Sequence, residues 1–250
     1  MNEDVPSVPD EDVGSRLLLT HATSAGRLVL SHGNIFAVTD AWGNITPAGA
    51  RELGVFSEDT RHLSHWELRL PRAPTLLSTG TEGCLSAQVD LTTADEEHDG
   101  LLDEPIQFLH LQRRFLLDDG FVEQVAFTNH LDRPVAFEVR LLFDADWADV
   151  FEVRGARRAR RGLTQPAQIG EGLTELRYLG RDGLLYRTQV HVHPSPASMS
   201  ANEALLRVAL APGARCSYVF EVRFGRGPTA LPPLEHRGWD PRVSRAKCAA

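Results

Sequence analysis

The sequence predicts an all-β fold, a large antiparallel two-sheet β-sandwich. Three observations lead there. Apolar residues recur with a period of two, turn signals separate the apolar runs, and no 12-residue window carries a convincing i, i+3, i+4, i+7 stripe.

Asp40-Ala41-Trp42-Gly43-Asn44 reads as a turn between NIFAVTD and ITP. Asp118-Asp119-Gly120 divides IQFLHLQRRFLL from FVEQVAFTN, and an Asp-Gly step between apolar runs is a strong hairpin signal because both residues reach positive φ cheaply. In Pro134–Phe143, Val135, Phe137, Val139, Leu141 and Phe143 share one face, which makes a half-buried strand. Arg181-Asp182-Gly183 then separates LTELRYLG from LLYRTQV. Along Leu184–His193 the residues Leu184, Tyr186, Val190 and Val192 point inward, with Arg187, Gln189, His191 and His193 outward. Ser200 and Glu203 match a helix capping box, but the alternation of Leu206, Val208 and Leu210 favours a strand. After Ala211-Pro212-Gly213 comes a last strand, with Phe220, Val222 and Phe224 inward and Glu221 and Arg223 outward. About a dozen strands result, more than an immunoglobulin domain holds.

The chain has 250 residues, 42% of them hydrophobic and 24% charged, which is globular composition. One domain with tails is expected: an acidic disordered arm at 1–14, the sandwich at 15–227, and an unstructured tail or truncated linker at 228–250. Lys+Arg total 26 against Asp+Glu 34, a net charge of −8, which argues against nucleic acid or an anionic membrane as partner. No apolar run of about 18 residues is present to span a membrane. MNEDVPSVPDEDVGS lacks the basic and apolar regions of a secretory signal. Cys84, Cys216 and Cys248 are too few and too dispersed for a disulfide framework or a CxxC zinc motif. Cytoplasmic location is the expectation, with Cys84 and Cys216 as small buried hydrophobes.

Two polar clusters could carry function. In GVFSEDTRHLS, Asp59 and Arg61 lie two apart and would share a strand face. They are read as a local ion pair pinning the loop, or as a polar hook for a sugar hydroxyl or a neighbouring domain. FDADWADVFEVRG holds Asp144, Asp146, Asp149, Glu152 and Arg154 beside Trp147 and Phe151. Carboxylates with an aromatic platform suit sugar recognition, and a carboxylate pair could hydrolyse a glycosidic bond. The plainer alternative is a solvated loop whose two aromatics enter the core. The following RGARRARR (154–161) either neutralises this acidic cluster or holds a phosphate or acidic partner. His191 with His193, and His62 with His65, have no neighbouring ligand to complete a metal site, so no metal is expected. No GxxxxGKS, GxGxxG or GxSxG motif occurs, and no cofactor is expected.

GVFSEDTRHLSHWELRL and FDADWADVFEVRG resemble signatures of the N-terminal domain of bacterial glycogen debranching (amylo-α-1,6-glucosidase-like) proteins. GNIFAVTDAWGNI, FLHLQRRFLLDDGFVEQVAFTNHLDRPVAFEV and LRYLGRDGLLYRTQVHV occur in the expected order, so the resemblance spans about residues 26–224. It implies a large β-sandwich that precedes, and packs on, an α/α barrel carrying the catalytic acids. The stretch after Gly227 is too short for such a barrel. The resemblance therefore carries over a fold and a glucan context, and no catalytic residues.

Three functions follow as expectations. The first is a non-catalytic sandwich whose Asp59, Arg61, Asp144, Asp146, Trp147, Asp149, Glu152 and Arg154 meet a separate catalytic domain or an α-glucan; it predicts an exposed apolar patch. The second is a stand-alone carbohydrate-binding or regulatory module using Trp42, Trp66 or Trp147 as an exposed platform. The third is a small glycoside hydrolase using the acidic cluster, which requires two carboxylates facing one pocket.

Overall fold

The computed structural model describes residues 26–95, 106–158, 160–227 and 231. The expected arm at 1–14, the expected tail at 228–250 apart from Leu231, and Cys248 lie outside the described residues. In chain order the strands are β1 (Leu28–His32), β2 (Ile35–Thr39), β3 (Gly54–Ser57), β4 (Thr60–Leu63), β5 (His65–Arg69), β6 (Thr75–Glu82), β7 (Ser86–Asp95) and β8 (Ile106–Leu117). Then come β9 (Phe121–Asn129), β10 (Val135–Asp144), β11 (Leu163–Gly170), β12 (Leu173–Leu179), β13 (Leu185–His193), β14 (Ser198–Met199), β15 (Glu203–Leu210) and β16 (Arg215–Arg226). One short helix, α1 (Val150–Val153), lies between β10 and β11.

All pairings are antiparallel. The eight-stranded sheet runs β11-β12-β13-β16-β9-β8-β7-β6; the four-stranded sheets run β14-β15-β10-β5 and β1-β2-β3-β4. Both small sheets pack on the large one. Trp66 of β5 meets Phe121 of β9 and Phe220 of β16 edge-on at 5.6 and 5.9 Å. His62 of β4 meets Thr188 of β13, with Nδ1 3.0 Å from Oγ1. One continuous apolar cluster joins all three sheets.

The alternation read from sequence is the mechanism of this packing. Val139, Leu141 and Phe143 of β10, and Val190 and Val192 of β13, are all fully buried. Leu117 pairs with Phe121 across the Asp118–Gly120 turn, and Leu179 with Leu185 across the Arg181–Gly183 turn. Ser200 Oγ accepts the Glu203 amide at 3.0 Å, but it caps a turn into β15 and no helix follows.

Several expectations are corrected. Sixteen strands lie among the described residues, more than the dozen expected, because β1 to β4 are too short to display a clear period. Ala211-Pro212-Gly213 does form the expected turn, and it carries the chain from β15 to β16 of a different sheet. Glu221 and Arg187, expected outward, are 6% and 9% exposed. Cys84 is exposed and Cys216 half-buried. A charged pair also enters the core: Arg113 Nε donates to Glu123 Oε1 at 2.6 Å, and Trp66 Nε1 donates to Glu123 Oε2 at 2.6 Å. Arg113 further donates to the carbonyls of Trp42 (2.7 Å) and Gly43 (3.1 Å) and to Asn44 Oδ1 (2.6 Å). Gly43 has φ +81°, and a Cβ there would stand 2.3 Å from the Phe115 ring, so the turn requires glycine.

Candidate functional site

The two polar clusters, some 85 residues apart in the chain, meet at one end of the sandwich. Arg61 donates from Nε to Asp146 Oδ1 (3.0 Å) and from Nη2 to Oδ2 (2.5 Å), a bidentate pair. Its Nη1 donates to the carbonyls of Arg51 (2.8 Å) and Leu53 (3.1 Å). The main chain repeats the connection: Arg61 N donates to Ala148 O at 2.9 Å, and Val150 N donates to Asp59 O at 3.2 Å. The expected Asp59–Arg61 ion pair is therefore not formed. Asp59 sits exposed in the β3–β4 turn and joins the cluster through its backbone.

The acidic segment is partly helical, a second correction. Asp149 caps α1, accepting the Phe151 amide at 2.9 Å and the Glu152 amide at 2.8 Å, while Glu152 Oε2 accepts the Asp149 amide at 3.2 Å. This reciprocal capping box, D-V-F-E, was legible in the sequence and was missed because the helix is only four residues long. Burial would raise the Asp149 carboxyl, but the Glu152 and Phe151 amides and the Arg158 guanidinium outweigh it and hold the carboxyl below the usual carboxylate range.

The arginine stretch is divided. Arg158 pairs with Asp149 and, at 3.4 Å, with Glu152; Arg161 reaches Glu152 at 3.3 Å and donates to Asp146 O at 2.9 Å. Arg154, Arg157 and Arg160 are exposed and have no side-chain partner among the described residues. Asp144, at the end of β10, accepts the Ala145 amide at 2.8 Å.

Four of the eight candidates, Arg61, Asp144, Asp146 and Glu152, line one groove of about 460 Å³. His65, Ser64, Arg51 and the Thr46–Leu53 loop complete it. Asp59, Asp149 and Arg154 lie outside this lining, and so does Trp147. The Trp147 indole is 5% exposed, stacks on Tyr178 at 5.2 Å and 8°, and its Nε1 has no hydrogen-bond partner among the described residues. Its φ of +46° turns the chain from β10 toward α1. Phe151, the other aromatic, is 66% exposed, opposite to a core position.

These placements bear on the three functions. Trp66 and Trp147 are buried and Trp42 is half-buried with its carbonyl bound to Arg113, so none of the three forms an exposed platform. In the groove, Asp146 and Glu152 are both engaged by arginines. Elsewhere, His191 and His193 are half-buried and stack on each other at 5.4 Å, in place of facing solvent. His62 is buried and its pKa is lowered to about 3 by desolvation, while His65 lies 3.0 Å from Glu67. Among the described residues no group of three or more His, Cys, Asp or Glu is placed to hold a metal ion, and no helix is long and apolar enough to cross a membrane.

Residues 30–221 match a family model described as the N-terminal domain of some glycogen debranching enzymes. No curated protein matches the chain. Among solved structures, a candidate kojibiose phosphorylase from the human microbiome aligns with TM-score 0.50 at 9% identity, over 88% of this chain and 32% of that one. This chain thus spans about a third of that protein, and at such identity the likeness is one of fold. A galactose mutarotase-like protein from Lactobacillus casei ATCC 334 aligns with TM-score 0.45 at 9% identity, over 80% of this chain and 100% of that one. A candidate aldose 1-epimerase from Escherichia coli K12 gives TM-score 0.45 at 10% identity, over 81% and 99%.

Proposed function

This chain belongs to the family of N-terminal domains of some glycogen debranching enzymes, and from that premise we propose that it is a non-catalytic sandwich that packs against, or assists, a separate α/α-barrel glycosidase domain acting on α-glucan. The observation that carries this reading is the commitment of the Asp146, Glu152 and Asp149 carboxylates, which leaves Asp144 as the groove carboxylate that no arginine holds among the described residues. Asp146 is held by Arg61, Glu152 by Arg158 and Arg161, and Asp149 by Arg158 and the α1 amides. Glycoside hydrolysis needs one free carboxylate and one carboxylic acid facing the same bond. Carboxylates whose oxygens are tied to arginines are poorly placed to face a substrate bond.

The same groups serve well as a rigid contact surface. The Arg61–Asp146 fork and the α1 cap fix a polar groove, and Phe151 of α1 stands exposed one residue before Glu152, which lines it. An exposed ring within a fixed polar surround is the usual form of an interface anchor. In this reading the groove carboxylate Asp144 and the neighbouring His65 are the groups offered to a glucan end. The cytoplasm is the proposed compartment, in keeping with the free Cys84 and Cys216 thiols.

Electrophoresis of the purified protein in a native gel cast with glycogen, followed by iodine staining, tests this. The expected result is an intact iodine colour along the whole lane. Retarded migration would assign glucan recognition to the sandwich itself. A cleared or colour-shifted zone would overturn the non-catalytic reading.

A further inference from the structure

The arginine stretch at 154–161 is only half used by the site. Arg158 and Arg161 neutralise Asp149 and Glu152, and Arg61 neutralises Asp146. Arg154, Arg157 and Arg160 remain exposed and unpaired among the described residues, in a chain whose net charge is −8. Three free guanidinium groups within seven positions form a local field opposite in sign to the rest of the molecule.

The chain also contains a matching anion. Residues 1–15 hold Glu3, Asp4, Asp10, Glu11 and Asp12, with no Lys or Arg until Arg16. From the start of the described chain, side-chain contacts lead toward the arginine loop. Arg27, just before β1, pairs with Glu52. The adjacent Arg51 reaches within 3.7 Å of where a Cβ on Gly155 would stand, and its carbonyl accepts Arg61 Nη1 at 2.8 Å. The route from residue 27 to the loop is therefore Arg27, Glu52, Arg51, Gly155. The stretch between Asp12 and Arg27 can span about 50 Å when extended, far more than this route needs. A tether of this length also keeps the local concentration of the arm in the millimolar range.

We propose that Arg154, Arg157 and Arg160 form a docking surface for an acidic peptide, and that its resident occupant is the acidic segment Glu3–Asp12 of the same chain.

Hydrogen exchange of the full-length chain, followed by mass spectrometry at low ionic strength, tests it. Three proteins are compared: the unaltered chain, a neutralised arm (E3Q, D4N, D10N, E11Q, D12N), and a neutralised loop (R154Q, R157Q, R160Q). Amides at 154–161 should exchange about threefold faster when the arm is neutralised, and arm amides should accelerate similarly when the loop is neutralised. Raising the salt of the unaltered chain to about 0.5 M should reproduce both changes, because exposed pairs are screened over a few ångströms there. This arm of the experiment needs no substitution and so does not depend on the variants folding. Exchange at 154–161 that ignores both the arm charges and the salt would overturn the proposal. Protection that grows with protein concentration would also overturn it, since the occupant would then be the arm of a second copy.

Discussion

Two of the arginine–carboxylate forks among the described residues, Arg113–Glu123 and Arg61–Asp146, sit in opposite surroundings. Arg113–Glu123 lies within the sandwich, its side chains 1% and 0% exposed. Every remaining donor of that guanidinium, and the Trp66 indole, finds a partner in the same network. Arg61–Asp146 has the same bidentate form, but its side chains are 15% and 31% exposed and it borders an open groove. The first fork fastens the 40–44 turn to the large sheet. The second fastens the Asp144–Gly155 segment to the β3–β4 hairpin. A sealed pair cannot exchange partners without unfolding the protein, whereas an open one can respond to whatever fills the groove. Chemically identical pairs thus divide into one for the fold and one for the surface.

The contrast can be broken most directly by removing one charge. Glu123→Gln leaves Arg113 buried and unpaired, and should cost about 3–5 kcal/mol, read as a lower urea midpoint. If this variant retains its midpoint, the core fork is not the fastener argued here. Acid should act in the same interior. His62 is neutral in the folded state because burial lowers its pKa to about 3, while an unfolded chain takes up a proton near 6.5. The unfolded state therefore binds more protons between about pH 6.5 and 3, and stability should fall as the pH drops through that window, by a few kcal/mol at most. His62→Gln should flatten the difference between urea midpoints at pH 7 and pH 5.

Asp146→Asn sharpens the comparison at the open fork. There water can replace the lost charge, so the cost should be about 1 kcal/mol, well below that of Glu123→Gln. Equal losses for the two variants would erase the distinction. The smallest stability change belongs to Phe151→Ser, within about 0.5 kcal/mol, because the ring is already in solvent. The same variant should weaken binding to a separately expressed catalytic domain about tenfold or more in titration calorimetry if the ring is an interface anchor. An unchanged affinity would remove Phe151 from the proposed contact.

The interior of the fold was legible because strands announce their buried face every second residue. Val139, Leu141 and Phe143 needed no more than that rule. The core fork was legible too, though it was passed over. Leu109, Leu111, Arg113, Phe115 and Leu117 alternate on β8, and Phe121, Glu123, Val125 and Phe127 on β9, so one charge of each sign interrupts two apolar rows. The Asp118–Gly120 turn sets the register that pairs Phe115 with Glu123 and Arg113 with Val125, leaving the two charges as diagonal neighbours. The Arg61–Asp146 fork could not be found in that way. No local period connects residues 85 positions apart, and the nearer Asp59 offered a simpler partner. Trp147 enters the core as the solvated-loop reading expects, whereas Phe151 departs from it, because a positive φ and a four-residue helix redirect the chain between them, and neither leaves an alternation to follow.

The position of β16 carries a consequence for biosynthesis. The last strand of the eight-stranded sheet in sequence lies in its middle, between β13 and β9. On the ribosome, β6–β9 and β11–β13 emerge first and can assemble only as two separate leaves, each with an unpaired inner edge. At synthesis rates of roughly 5–20 residues per second, the edge of β9 waits on the order of 5–20 seconds for Arg215–Arg226 to appear. Nascent chains stalled before that point would present open β-edges to one another, and a chaperone that shields such edges should be needed for that interval and released once the closing strand is in place.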